Sequence, residues 1–284
     1  MRLPEFRETG PLRGLDQPLA IPNDRHGAFP GQRGKPRAFV LFRSGRRIDL
    51  LNPSADSWTD EDLACNLARI SRWGGASKWP EPLSVAQHSL FVLCIREQEE
   101  VLEPGEALRE LLHDASEGLL GWDPIGPLKA HLGEPFRRLE RRLQAAVAER
   151  YELPPWDTRT YRRHKAADRL AAASEARHVV GWSRDDMRHA LGIEREPLED
   201  DPISMPGLQP WQPWPARLAE AAFLRRLRDL RDASDRRKSG VIESSASTPS
   251  RAMKRGEGPT KRGAKKKKTK RYRIAAARCK GADD

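Results

Sequence analysis

The chain has 284 residues, of which 33% are charged and 37% hydrophobic, and its net charge is +11. This length allows one large domain or two small ones, and no apolar run approaches the roughly 18 residues that a membrane-spanning helix needs. The sequence begins without the hydrophobic stretch of a signal peptide. Three cysteines, Cys65, Cys94 and Cys279, lack paired spacing. We therefore predict a cytoplasmic protein with no membrane partner.

The positive charge is concentrated at the C-terminal end. The chain has 52 basic and 41 acidic residues, and 17 basic and 4 acidic ones lie between Arg236 and Asp284. The remainder, with 35 basic and 37 acidic residues, is almost neutral. A segment so polar cannot offset its own ordering entropy, so 236–284 is predicted to be a disordered basic tail. Its Lys265–Lys268 block suits non-specific binding to nucleic acid, and a merely solvated tail is an equally weighted alternative.

Three segments are predicted along the chain: a loosely ordered N-terminal arm over 1–36, a folded body over 37–235, and the tail. The arm is rich in Pro, Gly and Arg and has no sustained periodicity. At the start of the body, Ala38–Phe42 and Arg47–Leu51 are short apolar runs on either side of a Ser-Gly turn. They predict a small β-hairpin.

Six helices are predicted after the hairpin, from capping residues and apolar periodicity. The first starts at Thr59, and the others cover about 84–97, 105–120, 135–151, 158–180 and 216–233. The helix that begins at Ser84 is apolar almost all round and should be central. The predicted fold class is all-α, a helical bundle with a small hairpin before it and disordered ends.

Four residues on these helices have the chemistry of metal ligands. His113 and Asp114 are adjacent, His88 lies on the central helix, and Asp168 lies in an alanine-rich stretch. Neighbouring helical positions point in different directions, so an adjacent pair can hold one ion only from a helix edge that faces a cleft. Two imidazoles and two carboxylates suit a divalent first-row cation. Each residue taken alone has a structural explanation, such as a surface ion pair for Asp168.

Glu117 follows His113 by four residues, so both are expected on one helical face. It could hold or deprotonate a water beside the ion. His164 stands four residues before Asp168 and would share its face. A solvent-facing His164 among Arg and Lys is favoured over a role near the metal.

The order of these residues resembles a known family. His88 in AQHSLFV, His113-Asp114 in ELLHDASEGLLG and Asp168 in KAADRLA are similar to the H…HD…D pattern of the HD-domain phosphohydrolases. More narrowly, Arg72-Trp73, Ser116-Glu117 and the DPIGPLK segment that starts at Asp123 resemble the bacterial 5′-deoxynucleotidase branch. The resemblance covers about 63–182.

The resemblance implies an HD-domain-like helical bundle that uses a divalent cation, with Mn, Co, Mg and Zn not distinguished, to hydrolyse a nucleotide. His88, His113, Asp114 and Asp168 would bind the metal. Asp114 would also count as catalytic, together with Glu117, which would position or activate the attacking water. Arg72 would hold the phosphate, Trp73 would shape the pocket and Asp123 would reach the sugar. A second copy of the chain, forming a homodimer, is among the expected partners.

Several alternatives stay open at this point. Arg72 could form an ion pair with an acid such as Glu61, and Trp73 could be a core residue. Trp122 looks inserted in the sugar-contact loop, and two glycines follow Trp73. The leading prediction is hydrolysis of a deoxynucleoside 5′-monophosphate. The alternatives are a deoxynucleoside triphosphate hydrolase and a nucleic-acid-associated protein in which the HD core is secondary.

Overall fold

The described part of the chain begins with the predicted hairpin. The computed structural model describes residues 37–246, so the predicted arm over 1–36 and the tail beyond Ala246 lie outside the described residues. Strands β1 (Phe39–Leu41) and β2 (Arg47–Asp49) pair antiparallel, with Val40 opposite Ile48. In the turn, Ser44 donates from its backbone N–H and its hydroxyl to the Asp62 carboxylate, at 2.9 and 2.6 Å. The hairpin is thereby tied to the helices.

Eight α-helices make up most of residues 37–246. They are α1 (Asp60–Arg69), α2 (Val85–Glu99), α3 (Pro104–Leu111), α4 (Ala115–Leu120), α5 (Gly126–Arg150), α6 (Thr158–Glu175), α7 (Arg184–Leu191) and α8 (Ala216–Ala246). The all-α prediction with a small hairpin is confirmed. Within this range no helix combines the length and the apolar character needed to cross a membrane.

Helix α2 is central, as its sequence predicts. It packs against α1, α3 and α6. Ser84 accepts the backbone N–H of Gln87 at its start, and Thr59 forms a capping box with Asp62 at the start of α1. The main core joins the apolar faces of α1 to α5 to that of α8, and it includes Leu67, Leu111 and Phe223. This packing fixes the first turn of α2, where His88 lies.

The predicted helix over 105–120 is wrong in one respect, because it is two helices. Helix α3 ends at Leu111 and α4 starts at Ala115, and both Leu112 and Asp114 have ψ near zero, at 13° and 16°. Such torsions lie outside the α-helical region. The break falls on the His113-Asp114 pair, so these neighbours are not bound to the fixed angular spacing of one helix.

Three further boundaries differ from prediction. Helix α5 starts at Gly126, inside a predicted loop, and is interrupted at Gly133 just before Pro135. The short helix α7 lies between the predicted helices over 158–180 and 216–233, where no helix was predicted; Ser183 caps it and Met187 is buried. Helix α8 continues from the predicted end at Ala233 to Ala246. Among the added residues whose side chains are described, Lys238 bonds Glu152 at 2.6 Å and Arg237 pairs with Glu103.

Candidate metal centre

Three elements bring the predicted ligands together. His88 comes from the first turn of α2, His113 and Asp114 from the break between α3 and α4, and Asp168 from the middle of α6. His88 is completely buried, and the carboxylates of Asp114 and Asp168 are each 20% exposed. The cluster therefore lies at the edge of the core, where one side meets solvent.

The donor atoms face one another at short range. His88 Nε2 lies 3.3 Å from His113 Nε2, 3.4 Å from Asp114 Oδ2 and 3.5 Å from Asp168 Oδ1. His113 Nε2 lies 3.1 Å from Asp114 Oδ2. Ligand atoms of His88, His113 and Asp114 all lie within 4.8 Å of one another, the spacing of a candidate ion site. Asp168 is not part of that closely spaced trio: its Oδ1 reaches His88, and its Oδ2 accepts from Lys165 Nζ at 2.6 Å.

The remaining ring nitrogen of each histidine faces an oxygen acceptor. His88 Nδ1 lies 2.5 Å from Glu175 Oε1, and His113 Nδ1 lies 2.8 Å from the backbone carbonyl of Glu110. An acceptor at Nδ1 keeps the proton there, which leaves the Nε2 lone pair pointing into the cluster. Two imidazole nitrogens and the carboxylate of Asp114 therefore converge on one position, which suits a proton or a metal ion.

The pKa shifts of the buried residues agree with a positive charge at that position. Burial would lower the pKa of His88, and Arg72 acts in the same direction, but Glu175, Asp114 and Asp168 raise it well above its ordinary value. Burial would raise the pKa of Asp114, but His113 and His88 hold it well below its usual range. The pKa of Asp168 is likewise lowered against burial, chiefly by His88. The cluster holds ionised carboxylates around a position that attracts positive charge.

Arg72 lies beside the cluster, on the turn before α2. Its Nη1 is 3.3 Å from Asp123 Oδ2 and 3.6 Å from Asp114 Oδ2, and its Nε donates to Glu175 Oε2 at 3.0 Å. The alternative that Arg72 forms an ion pair with an acid is confirmed, but its partners are these three acids and not Glu61, which pairs with Arg228 at the surface. A guanidinium next to a candidate cation site is well suited to a phosphate group.

Trp73 combines core packing with a polar contact. Its ring packs against the small cluster of Ala173, Ala176 and Met187, and its Nε1 donates to Glu175 Oε2 at 3.1 Å. Its φ of +56° lies in the left-handed region, which is uncommon for a residue of this size. Such strain persists only where the surroundings determine it, and it gathers at functional sites.

Glu117 and Lys129 form the other side of the site. Glu117 lies in α4, one turn after Asp114, and is almost fully buried. Lys129 Nζ bonds its Oε1 at 2.8 Å, while its Oε2 is buried and has no hydrogen-bond partner. Burial, followed by the charges of Asp114 and Asp123, raises the pKa of Glu117 well above its ordinary value. A raised pKa makes this carboxylate a stronger proton acceptor.

His164 contradicts the sequence expectation of a solvent-facing side chain. It is buried, its Nδ1 lies 2.8 Å from Glu110 Oε2, and its ring meets that of His113 edge-on at 4.8 Å. Of the basic residues next to it, Arg163 pairs with Glu100 and Lys165 with Asp168. His164 thus packs against the side chain of His113, a candidate metal ligand.

Two buried carboxylates next to the histidines were missing from the sequence prediction. Glu175 follows Asp168 by seven residues on α6, and seven residues return to the same helical face. It is the single charged residue in the run AAASEA, which was the available signal. Glu110 binds His164 and Arg96, and no local pattern pointed to it because its partners are distant in sequence.

Fold and cluster together define a mostly helical protein with a candidate metal centre. No family model matches the chain. An uncharacterized protein of Rhodobacter capsulatus is 38% identical over 175 residues, which cover 61% of this chain and 85% of that protein. The uncharacterized protein YfdR of Escherichia coli K12 is 33% identical over 143 residues, 50% of this chain and 72% of YfdR. The chain belongs to the family of these bacterial proteins.

Proposed function

We propose that this protein is a divalent-metal-dependent phosphohydrolase that acts on nucleotides, with deoxynucleoside 5′-monophosphates as the substrate class. The observation that carries the proposal is the convergence of His88, His113 and Asp114, whose ligand atoms lie within 4.8 Å of one another, beside the guanidinium of Arg72. The resemblance of the H…HD…D order to the HD-domain phosphohydrolases supports the same conclusion.

The residues present fit a divalent cation. Both Nδ1 atoms face acceptors, so both Nε2 lone pairs are available where the carboxylates of Asp114 and Asp168 converge. His88, His113, Asp114 and Asp168 would hold the ion, and two imidazoles with two carboxylates suit a first-row metal. A bound ion of this kind supplies Lewis acidity toward a phosphoryl oxygen and lowers the pKa of water.

The chain's own residues have separate tasks in hydrolysis. Arg72 would bind phosphoryl oxygens through its Nη edge, which faces Asp114 and Asp123, and would stabilise the charge that grows on them. Glu117 would accept the proton of the attacking water at Oε2, since Oε1 is held by Lys129. Water and the phosphoester are then converted to phosphate and an alcohol, the deoxynucleoside.

The substrate class rests on the residues that flank the cluster. Trp73 offers an aromatic ring held by Glu175, and Asp123 places a carboxylate 3.3 Å from Arg72. Of the lysines near the cluster, Lys129 is bound to Glu117 and Lys165 to Asp168. A single guanidinium next to Asp114 suits one phosphate group beside the ion, which is the basis for preferring a monophosphate to a triphosphate.

A product assay tests the proposal directly. Purified protein, stripped of metal with a chelator, is incubated with Mn²⁺, Co²⁺, Mg²⁺ or Zn²⁺ and a panel of deoxynucleoside mono- and triphosphates. Orthophosphate and deoxynucleoside from monophosphates are expected. Release of triphosphate or pyrophosphate would replace this proposal with the triphosphate hydrolase, and no hydrolysis with any ion would refute both. Cytoplasmic location, homodimer formation and nucleic-acid binding by the tail stay predictions.

A further inference from the structure

Glu175 is a buried carboxylate that contacts both halves of the candidate site, the metal-ligand half at His88 and the phosphate-binding half at Arg72. It closes α6 and is 1% exposed. Its Oε1 contacts His88 Nδ1 at 2.5 Å, and its Oε2 accepts from Arg72 Nε at 3.0 Å and Trp73 Nε1 at 3.1 Å. One side chain therefore takes three nitrogen donors from two separate elements, the central helix and the turn before it.

The turn that carries Arg72 is also fixed to the end of α6. The backbone N–H of Lys78 donates to the carbonyl of Val179 at 2.9 Å, in the π-helical turn (Ala176–Val180) that follows Glu175. The backbone N–H of Arg72 donates to the carbonyl of Leu83 at 2.8 Å. The backbone around Arg72 is thus set by contacts of its own, and Glu175 determines where its side chain points.

Each contact of Glu175 has a distinct consequence. At His88 it keeps the proton on Nδ1, so that Nε2 faces His113 and Asp114 as a lone pair. At Arg72 it occupies Nε, which leaves Nη1 directed toward Asp114 and Asp123. The cation ligand and the anion-binding group are therefore oriented by the two oxygens of a single carboxylate.

We propose that Glu175 is a positioning residue that couples the two halves of the site, so that divalent-cation binding and phosphate binding weaken together when its carboxylate is lost. This inference rests on the proposed function and deepens it. The ligands concerned are a divalent first-row cation and a phosphate monoester or inorganic phosphate.

Glu175→Gln separates this role from simple packing, because the amide has nearly the same shape and only one acceptor. If the amide oxygen faces His88, its NH2 group opposes the donors of Arg72 and Trp73. If the oxygen faces Arg72 and Trp73, the NH2 group forces the His88 proton onto Nε2, where it blocks the lone pair. Neither orientation preserves both halves of the site.

The experiment measures two affinities in the metal-stripped full chain by calorimetry: Mn²⁺ alone, and inorganic phosphate in the presence of saturating Mn²⁺. Glu175→Gln should weaken Mn²⁺ binding about 10- to 100-fold, the usual effect of removing the partner of a ligating histidine. Phosphate binding should weaken by about tenfold or more, since Arg72 loses its orientation. Melting temperatures of all variants are recorded alongside.

Asp62→Asn is the matched control. Asp62 is also buried, and its carboxylate also accepts from three donors, the backbone N–H and hydroxyl of Ser44 and the backbone N–H of Thr59, none of which lies in the candidate site. It should lower the melting temperature, while its Mn²⁺ affinity changes less than about threefold, because the two sites are independent. If Glu175→Gln binds Mn²⁺ and phosphate like the wild type, or no worse than Asp62→Asn, the inference is refuted and the proposed function stands.

A measurement on the wild type keeps the inference testable should Glu175→Gln not fold. In protein with ¹⁵N-labelled histidine, addition of Zn²⁺ should shift Nε2 of His88 while its Nδ1 stays protonated and hydrogen-bonded. Zinc on Nδ1 of His88 would overturn the inference. A wild type that binds no divalent cation in either experiment would overturn the proposed function and this inference together.

Discussion

The two sides of the candidate site are built in different ways. On the ligand side, His88 is completely buried in the first turn of α2, and its neighbours come from the α3–α4 break and from α6, which packs on α2 in a second apolar cluster. On the opposite side, the segment from Trp122 to Leu132 is largely exposed and is attached through ion pairs, Asp123 to Arg72 and Lys129 to Glu117. Core packing fixes the first set of side chains, whereas the second depends on charges that a substrate can replace.

This difference suggests which property each side controls. A close-packed interior tolerates little change, so ligands mounted on it keep their geometry in the free protein. An exposed segment with few apolar contacts opens more readily than a packed core, even though its two ion pairs are largely buried. The ligand side should therefore determine whether the ion is bound, and the exposed side should determine which phosphoester is accepted.

The largest expected effect is on the ligand side. His113→Ala removes one of the four residues that would hold the ion, and we expect metal affinity to fall by at least about 100-fold and phosphate release to reach background. His189→Ala is the control, since that histidine is exposed on α7. Calorimetry with Mn²⁺ and a phosphate assay measure both. A His113→Ala protein with normal turnover would refute the site assignment.

Arg72→Lys tests the residue that links the ligand side, through Asp114, to the exposed side, through Asp123. Lysine keeps the charge but cannot present a planar fork to phosphate, nor reach Glu175 and the substrate at once. We expect kcat/KM to drop by about 100-fold, while Mn²⁺ affinity changes much less. Arg228→Lys, at an exposed pair with Glu61, should behave like the wild type. Steady-state kinetics with a deoxynucleoside monophosphate measures the drop in kcat/KM. Unchanged kinetics would exclude phosphate binding by Arg72.

Gly118→Ala tests how tightly α4 is packed. An added Cβ would lie 2.8 Å from Cγ of the buried Leu67, and the Gly118 carbonyl already accepts from Asn66 Nδ2 at 3.0 Å. Overpacking should outweigh the gain in helix propensity and lower the free energy of unfolding by about 1–2 kcal/mol. Gly126→Ala has open space and is the control. Urea unfolding compares them, and equal midpoints would contradict the close approach.

The smallest effect is expected on the exposed side. Trp122 is 44% exposed and meets Phe136 edge-on at 6.1 Å, so Trp122→Ala should cost less than about 1 kcal/mol of unfolding free energy and leave Mn²⁺ affinity unchanged. Trp58→Ala, at a fully buried tryptophan, should cost about 3–5 kcal/mol. Similar losses in the two variants would mean that the exposed segment is part of the core.

Much of the fold could be predicted because its signals are local. Thr59 and Ser84 cap their helices as their sequence context indicates, and the apolar surface of α2 places it at the centre. The break at His113 could not be predicted, since the residues around it continue the apolar periodicity of a single helix. It is a tertiary effect, in which packing overrides local propensity.

The candidate site was predictable to the same degree. The order of His88, His113, Asp114 and Asp168 pointed to residues that the structure brings into contact, although their role stays a prediction. The partners of these residues were out of reach, because Glu175 and Arg72 are 103 positions apart. The side of α6 that His164 occupies depends on Glu110, which lies on another helix.

Gly133 has a consequence for how this protein can diversify. Its φ of 72° and ψ of −159° lie in a region open essentially to glycine alone, and they separate 126–132 from the long remainder of α5. A change of length or composition in the first piece need not rotate the second, whose Leu143 and Val147 are core residues. Relatives can therefore vary the exposed side of the site while inheriting an unaltered scaffold.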